Sequence, residues 1–150
     1  MTNTKGAVPA ARADEAPSNV RRALRVLIAE DDRDTALTLM MILRDEWHEA
    51  RAVHTGRAVM AAVLEFDPDA VILDLHLPEI SGWQIASTIR ARRTRPPLLI
   101  AITGYFTKGA DRILSQLTGF DHYVVKPCEP KELLKLLEPL RSPGSDTSLF

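Results

Sequence analysis

The residues of this 150-residue chain that could do chemistry stand at the ends of short apolar runs. Glu30, Asp31 and Asp32 follow Val26-Leu27-Ile28-Ala29, and Asp74 follows Val71-Ile72-Leu73. Thr103 follows Leu98-Leu99-Ile100-Ala101-Ile102, and Lys126 follows Tyr123-Val124-Val125. Acids, a hydroxyl and an amine brought to one spot would suit magnesium-dependent phosphoryl chemistry. A carboxylate such as Asp74 accepts a phosphoryl group only if the charge of donor and acceptor is neutralised, and Mg2+ held by a few carboxylates and water does this. Without metal, carboxylates packed within ~4–6 Å raise the pKa of at least one of them, so cation binding should release protons.

The elements that must position these groups are legible in the hydrophobic pattern. Short apolar runs alternating with helical stretches read as buried parallel strands with crossover helices. Strands are expected near 25–29, 49–53, 70–73, 98–102 and 122–125, and helices near 33–46, 55–66, 82–93, 107–117 and 129–140. In an open α/β sheet, ligands bind outside the carboxyl ends of the strands, where all these polar residues fall. Leu39, Ile42 and Leu43 share one helical face, as do Val59, Val63 and Phe66. Thr55 and Ser81 are expected N-caps, and Pro68 and Pro96-Pro97 stop helices. The second strand, with Arg51 and alanines, is expected at a sheet edge. Short loops joining the third and fourth helices to their flanking strands imply right-handed crossovers.

Composition bounds the rest. Hydrophobic residues make up 45% and charged residues 26%, ordinary values for one globular domain. A formal net charge of -1 gives no bulk attraction to nucleic acid. No apolar run approaches a membrane span, and the first residues lack a secretory stretch. One cysteine, Cys128, precludes an internal disulfide and agrees with a cytoplasmic setting. Residues 1–23 read as a flexible arm, 24–140 as the folded domain and 141–150 as a flexible tail.

Five pieces in order carry a family resemblance: Ile28-Ala29-Glu30-Asp31-Asp32, Leu73-Asp74-Leu75-His76-Leu77-Pro78, Gly82, Ile102-Thr103-Gly104, and Gly119 through Pro127. From about Arg25 to Leu140 the chain resembles the receiver domain of bacterial two-component response regulators. The resemblance implies an α/β, flavodoxin-like, doubly wound (βα)5 three-layer sandwich with a parallel sheet ordered 2-1-3-4-5, an order that periodicity alone does not select. It implies that Asp74 is the phosphoacceptor and Asp31 a direct Mg2+ ligand, with Glu30 acting through water and the backbone carbonyl of His76 completing the protein ligands; Mn2+ would substitute. Lys126, aimed by a cis bond to Pro127, would meet a phosphoryl oxygen. Thr103 would move towards the phosphoryl group and Tyr123 would swing into the space it leaves. Gly104 would keep the pocket open, and Asp32 would be a spare charge tuning the metal site. His76 and Tyr105 flank the site, and as a bulky pair they would shield the acyl phosphate, giving a long-lived phospho-form.

Several features have plainer readings. The acid run could be a helix N-cap cluster, although Asp34 could do that alone. His48, His54 and His122 lack metal-ligand spacing. Arg90, Arg92, Arg93 and Arg95 read as a solvated helix C-terminus complementing the dipole. Cys128 is expected to be buried and inert, although Lys126 nearby could lower its pKa. Ser81, Leu77 and Cys128 depart from the commonest family pattern without removing a reactive group.

The expected function is a stand-alone phosphoacceptor switch, not a classical enzyme, charged by a sensor histidine kinase or a histidine phosphotransfer protein. No output module is expected after Leu140. The output would pass to a protein effector through the face of the fourth helix, fifth strand and fifth helix, or onward as a phosphorelay intermediate. No direct nucleic-acid contact, no membrane insertion, and a monomer or weak homodimer are expected. The alternative is a phosphorylation-independent receiver-fold interaction module, against which the complete acid, Thr and Lys set argues. A haloacid-dehalogenase-type phosphohydrolase would want a second catalytic Asp at His76.

Overall fold

Alternation along each strand divides the core into two clusters and so sets the layers. The computed structural model describes residues 21–104 and 119–142. The elements run β1 (Arg25–Ala29), α1 (Arg33–Asp45), β2 (Glu49–Val53), α2 (Gly56–Phe66), β3 (Ala70–Asp74), α3 (Gly82–Arg92), β4 (Leu98–Thr103), β5 (His122–Val125) and α4 (Pro130–Arg141). The expected helix 107–117 and Tyr105 lie outside the described residues.

The five strands are parallel and ordered β2-β1-β3-β4-β5, as the resemblance implies, with β2 at an edge. Leu27, Val71, Leu73, Leu99 and Ala101 face α2 and α3, against Val59, Val63, Phe66, Ile85 and Ile89. Val26, Ile28, Ile72, Ile100 and Val124 face α1 and α4, against Leu39, Leu43, Leu133 and Leu137. Helices on both faces explain why β3 is buried along its whole length and reads as an unbroken apolar run.

Helix starts follow local chemistry. Thr55 accepts from the Ala58 N–H and Ser81 from the Gln84 N–H, as expected, and Pro130 opens α4. For α1 the cap is Asp32 rather than Asp34: its carboxylate accepts from the Asp34 N–H at 3.2 Å and the Thr35 hydroxyl at 2.7 Å. Thus Asp32 anchors the turn leaving β1, and the Thr35 hydroxyl, ahead of the Asp34 N–H, holds its carboxyl below the usual range.

The end of the sheet opposite the polar strand ends is laced by arginines. Arg90 donates to the Gly119 carbonyl at 2.8 Å and to Asp121 at 2.6 Å, and Arg93 pairs with Asp67. These two therefore tie α3 to neighbouring loops, where the sequence reading had them facing water. Arg22 pairs with Asp69, and its N–H donates to the Arg141 carbonyl at 3.1 Å, laying the entry to β1 against the end of α4.

Candidate functional site

The parallel register brings the carboxyl ends of β1, β3, β4 and β5 to one edge. Asp74 and Thr103 are the last residues of β3 and β4, inside the ladder rather than after it, with Asp74 opposite Ile102 and Thr103 opposite Val125. Their backbones are thus fixed by the sheet. Glu30 follows β1, its N–H donating to the Val53 carbonyl at 3.0 Å. The Lys126 N–H donates to the Thr103 carbonyl at 2.7 Å, joining the ends of β4 and β5, and the Lys126–Pro127 peptide is cis.

Side chains close the arrangement. Lys126 Nζ lies 2.7 Å from Glu30 Oε1 and 3.2 Å from Asp74 Oδ2. Asp74 Oδ1 accepts from the His76 N–H at 2.9 Å. Oxygens of Glu30, Asp31 and Asp74 lie within 4.8 Å of one another. Glu30 and Asp74 are buried, at 2% and 5% exposure, whereas Asp31 is exposed. Thr103 is fully buried, and Gly104 beside it is exposed. Tyr123 is half-buried against the cluster that contains Phe120. The His76 ring points out of the core and meets Trp83 edge-on, with centroids 6.2 Å apart. The structure therefore brings Glu30, Asp31, Asp74 and Lys126 together.

Gly82 is required by close approach. A Cβ there would lie 2.8 Å from both the Asp74 carbonyl oxygen and Leu75 Cα, and the Gly82 N–H donates to the Leu75 carbonyl at 3.1 Å. The first turn of α3 thus clamps the backbone that carries Asp74.

Burial sets the electrostatics. It pushes the Glu30 carboxyl up to about 7, and the neighbouring Asp74 adds to the rise while Lys126 opposes it. Burial acts upward on Asp74 too, but hydrogen bonds from Glu30 and the His76 N–H, together with Lys126, outweigh it and hold Asp74 below the usual range. Below about pH 7 the metal-free pair therefore carries one proton, favoured on Glu30, and keeps its negative charge on Asp74. Burial works against the Lys126 charge, yet Glu30 and Asp74 together raise its pKa. At the half-buried Cys128, burial first and then Glu132 and Glu129 push the thiol up to about 11, which suits the inert thiol expected there and not the lowering that Lys126 could cause.

Three carboxylates converging from the loop after β1 and the end of β3 form a hard oxygen donor set of the kind Mg2+ takes, and they fit that ion better than a nitrogen- or sulfur-preferring metal. Among the described residues, an open hollow of about 550 Å3 runs from Lys126 and Gly104 along α1 past Thr35 and Thr38.

His54 is a neighbour of the site that sequence reading missed. Its Nδ1 sits 2.9 Å from the Glu30 carbonyl oxygen, and an isolated histidine after a strand gives no signal of such a role.

Comparison with known proteins agrees with this geometry. Residues 26–138 match the family model of the response regulator receiver domain. The chain is 34% identical over 110 residues to the DNA-binding response regulator MtrA of Mycobacterium tuberculosis, covering 73% of this chain and 47% of that protein. It is 35% identical over 124 residues to the sensory transduction protein RegX3 of Mycobacterium bovis, covering 82% and 53%. The chain thus spans about half the length of the curated relatives it matches. A CheY-like receiver domain from Methylobacillus flagellatus superposes with a TM-score of 0.68 at 27% identity, covering 80% of this chain and all of that one. One from Methanospirillum hungatei gives 0.71 at 24% identity, covering 79% and 94%, and shares the fold. A five-stranded sheet ordered β2-β1-β3-β4-β5 and a family match over most of its length make this chain a member of the response regulator receiver-domain family of two-component signalling.

Proposed function

We propose that this chain accepts a phosphoryl group on Asp74 and uses it as a conformational switch. The observation that carries the reading is the pairing of the buried Glu30 and Asp74 with the half-buried Lys126, with Asp31 at the rim. Asp74 keeps its negative charge at neutral pH, so its carboxylate is available as a nucleophile. The donor is a phosphohistidine of a sensor kinase or phosphotransfer protein. A carboxylate oxygen of Asp74 forms a bond to phosphorus, the phosphorus–nitrogen bond breaks, and the electron pair returns to the donor imidazole. Catalysis is by positioning and charge neutralisation.

Glu30, Asp31, Asp74 and the His76 carbonyl are the groups that would hold Mg2+, with Mn2+ an acceptable substitute. Bound there, the cation neutralises phosphoryl charge. Lys126, already within 3.2 Å of Asp74, pairs with a phosphoryl oxygen, an interaction of roughly 1.5–3 kcal/mol. The Thr103 hydroxyl donates to another. That pull turns the Thr103 side chain towards the phosphoryl group, and Tyr123 on the adjacent β5 swings into the space it leaves. The switch shifts only as far as the phosphoryl group binds the two conformations differently.

The output passes to a protein partner through the face that includes β5 and α4, or onward to a second phosphotransfer histidine. MtrA is named as DNA-binding; for the present 150 residues we assign the receiver unit, 24–140, a protein partner rather than DNA. Its thiol chemistry and lack of a membrane-crossing helix among the described residues fit a cytoplasmic setting.

The test is to charge the protein with acetyl phosphate and Mg2+, reduce the acyl phosphate with borohydride, and sequence the peptides by mass spectrometry. Reduction should mark residue 74 as homoserine. Marking at Glu30 or Asp31 instead would overturn the assignment.

A further inference from the structure

The turn between β2 and α2 touches both loops that carry the proposed metal ligands. Glu30 is held on both sides of its Cα by this turn: its N–H donates to the Val53 carbonyl at 3.0 Å, and its own carbonyl lies 2.9 Å from His54 Nδ1. A carbonyl oxygen only accepts, so Nδ1 must carry the proton. The imidazole supplies a donor where the strand pair ends, because β2 stops at Val53 and Thr55 caps the following helix.

That bond fixes the peptide joining Glu30 to Asp31. Rotation of this peptide would swing the Asp31 carboxylate, which is exposed and belongs to no strand or helix. Two residues on, Gly56 packs against the loop after β3, where a Cβ would lie 2.9 Å from Ile80 Cβ and 3.0 Å from the Ile80 carbonyl oxygen. Arg57 Nε pairs with Glu79 Oε2 at 3.1 Å in the same loop, which also carries His76. One short turn therefore braces the acidic loop through His54 and the phosphoacceptor loop through Gly56 and Arg57.

We infer that His54 is a positioning residue for the acidic pair: its Nδ1–H, bonded to the Glu30 carbonyl, holds the Asp31 carboxylate within reach of Glu30 and Asp74 before a divalent cation arrives. This rests on the proposed reading of the site as a Mg2+ site. Ligand-orienting partners of this kind change metal affinity by about 10–100-fold when removed. His54 is joined to the loop by one hydrogen bond, which places its effect at the lower end.

Two measurements on the full chain test this. In the metal-free protein, nitrogen-15 NMR of His54 should show the Nδ1–H tautomer; the Nε2–H tautomer would overturn the inference. Calorimetric titration with Mg2+ should show His54→Ala weakened about tenfold, while His54→Asn, whose amide nitrogen can stand near the Nδ1 position, binds within about twofold of the wild type. The Asp31 amide resonance of the metal-free protein should move in His54→Ala and return in His54→Asn. Equal Mg2+ affinity in wild type and His54→Ala, or equal weakening in both variants, would overturn the role of His54. A wild type that binds no Mg2+ would instead overturn the reading of the site.

Discussion

Replacing Asp74 with Asn tests whether the two buried carboxylates oppose each other in the metal-free protein. Glu30 is 2% exposed, and its carboxyl is raised from 4.5 to about 7. In that window the folded state binds more protons than the unfolded state, so stability falls as pH rises. At ~1.4 kcal/mol per unit of pKa, the loss complete above pH 7 is about 3 kcal/mol. Burial supplies the largest part and survives the substitution, which leaves ~1–2 kcal/mol for the Asp74 neighbour. In Asp74→Asn, Glu30 keeps Lys126 but loses the neighbouring carboxylate, so its pKa should fall. At pH 5 the balance differs. There Asp74 gains from the proton on Glu30, from the His76 N–H and from Lys126, and a neutral amide gains less. The stability of Asp74→Asn relative to wild type should therefore rise by about 1–2 kcal/mol between pH 5 and pH 8. Urea unfolding in the presence of EDTA, with both proteins at both pH values, measures this. A relative stability that stays flat or falls with pH would refute the shared-proton picture.

Other outcomes follow from the same geometry. Gly82→Ala forces a Cβ against two backbone groups and should cost about 1–3 kcal/mol in urea unfolding while lowering Mg2+ affinity. His48 is buried, and its Nδ1 accepts from the Leu24 N–H at 3.0 Å, so it must be neutral in the fold. Burial and then Arg141 depress its pKa below 6.5, against the opposing pull of Glu46, Glu138 and Asp69. Its stabilising contribution is complete above pH 6.5 and lost as pH falls towards the depressed value. His48→Asn, which keeps an acceptor but does not titrate, should flatten the urea-midpoint profile between pH 7 and 5.5. The Cys128 thiol, pushed up to about 11, should resist iodoacetamide at pH 8 until urea unfolds the chain; rapid labelling of the native protein would contradict the burial argument.

The strands were legible because a sheet covered on both faces demands unbroken apolar runs, as in Val71-Ile72-Leu73. Their ends were legible less well. Asp74 and Thr103 belong to the ladder because pairing with Ile102 and Val125 continues through them, and hydrophobicity cannot report backbone pairing. Strand order came from the family resemblance, since any doubly wound order buries the same pattern. The cap of α1 passed to Asp32 because its carboxylate reaches both the Asp34 N–H and the Thr35 hydroxyl, a choice decided by backbone angles. Arg90, Arg93, His48 and His54 act across sequence separations of 24 or more residues, so no local spacing signals them.

Intact-protein mass after incubation with acetyl phosphate, with and without Mg2+ and beside Asp74→Asn, tests the central claim most directly. The account predicts one added phosphoryl group in the wild type with Mg2+, and none when either the cation or Asp74 is missing. A folded, Mg2+-binding wild type that takes up no phosphoryl group, or an Asp74→Asn variant that still does, would contradict it.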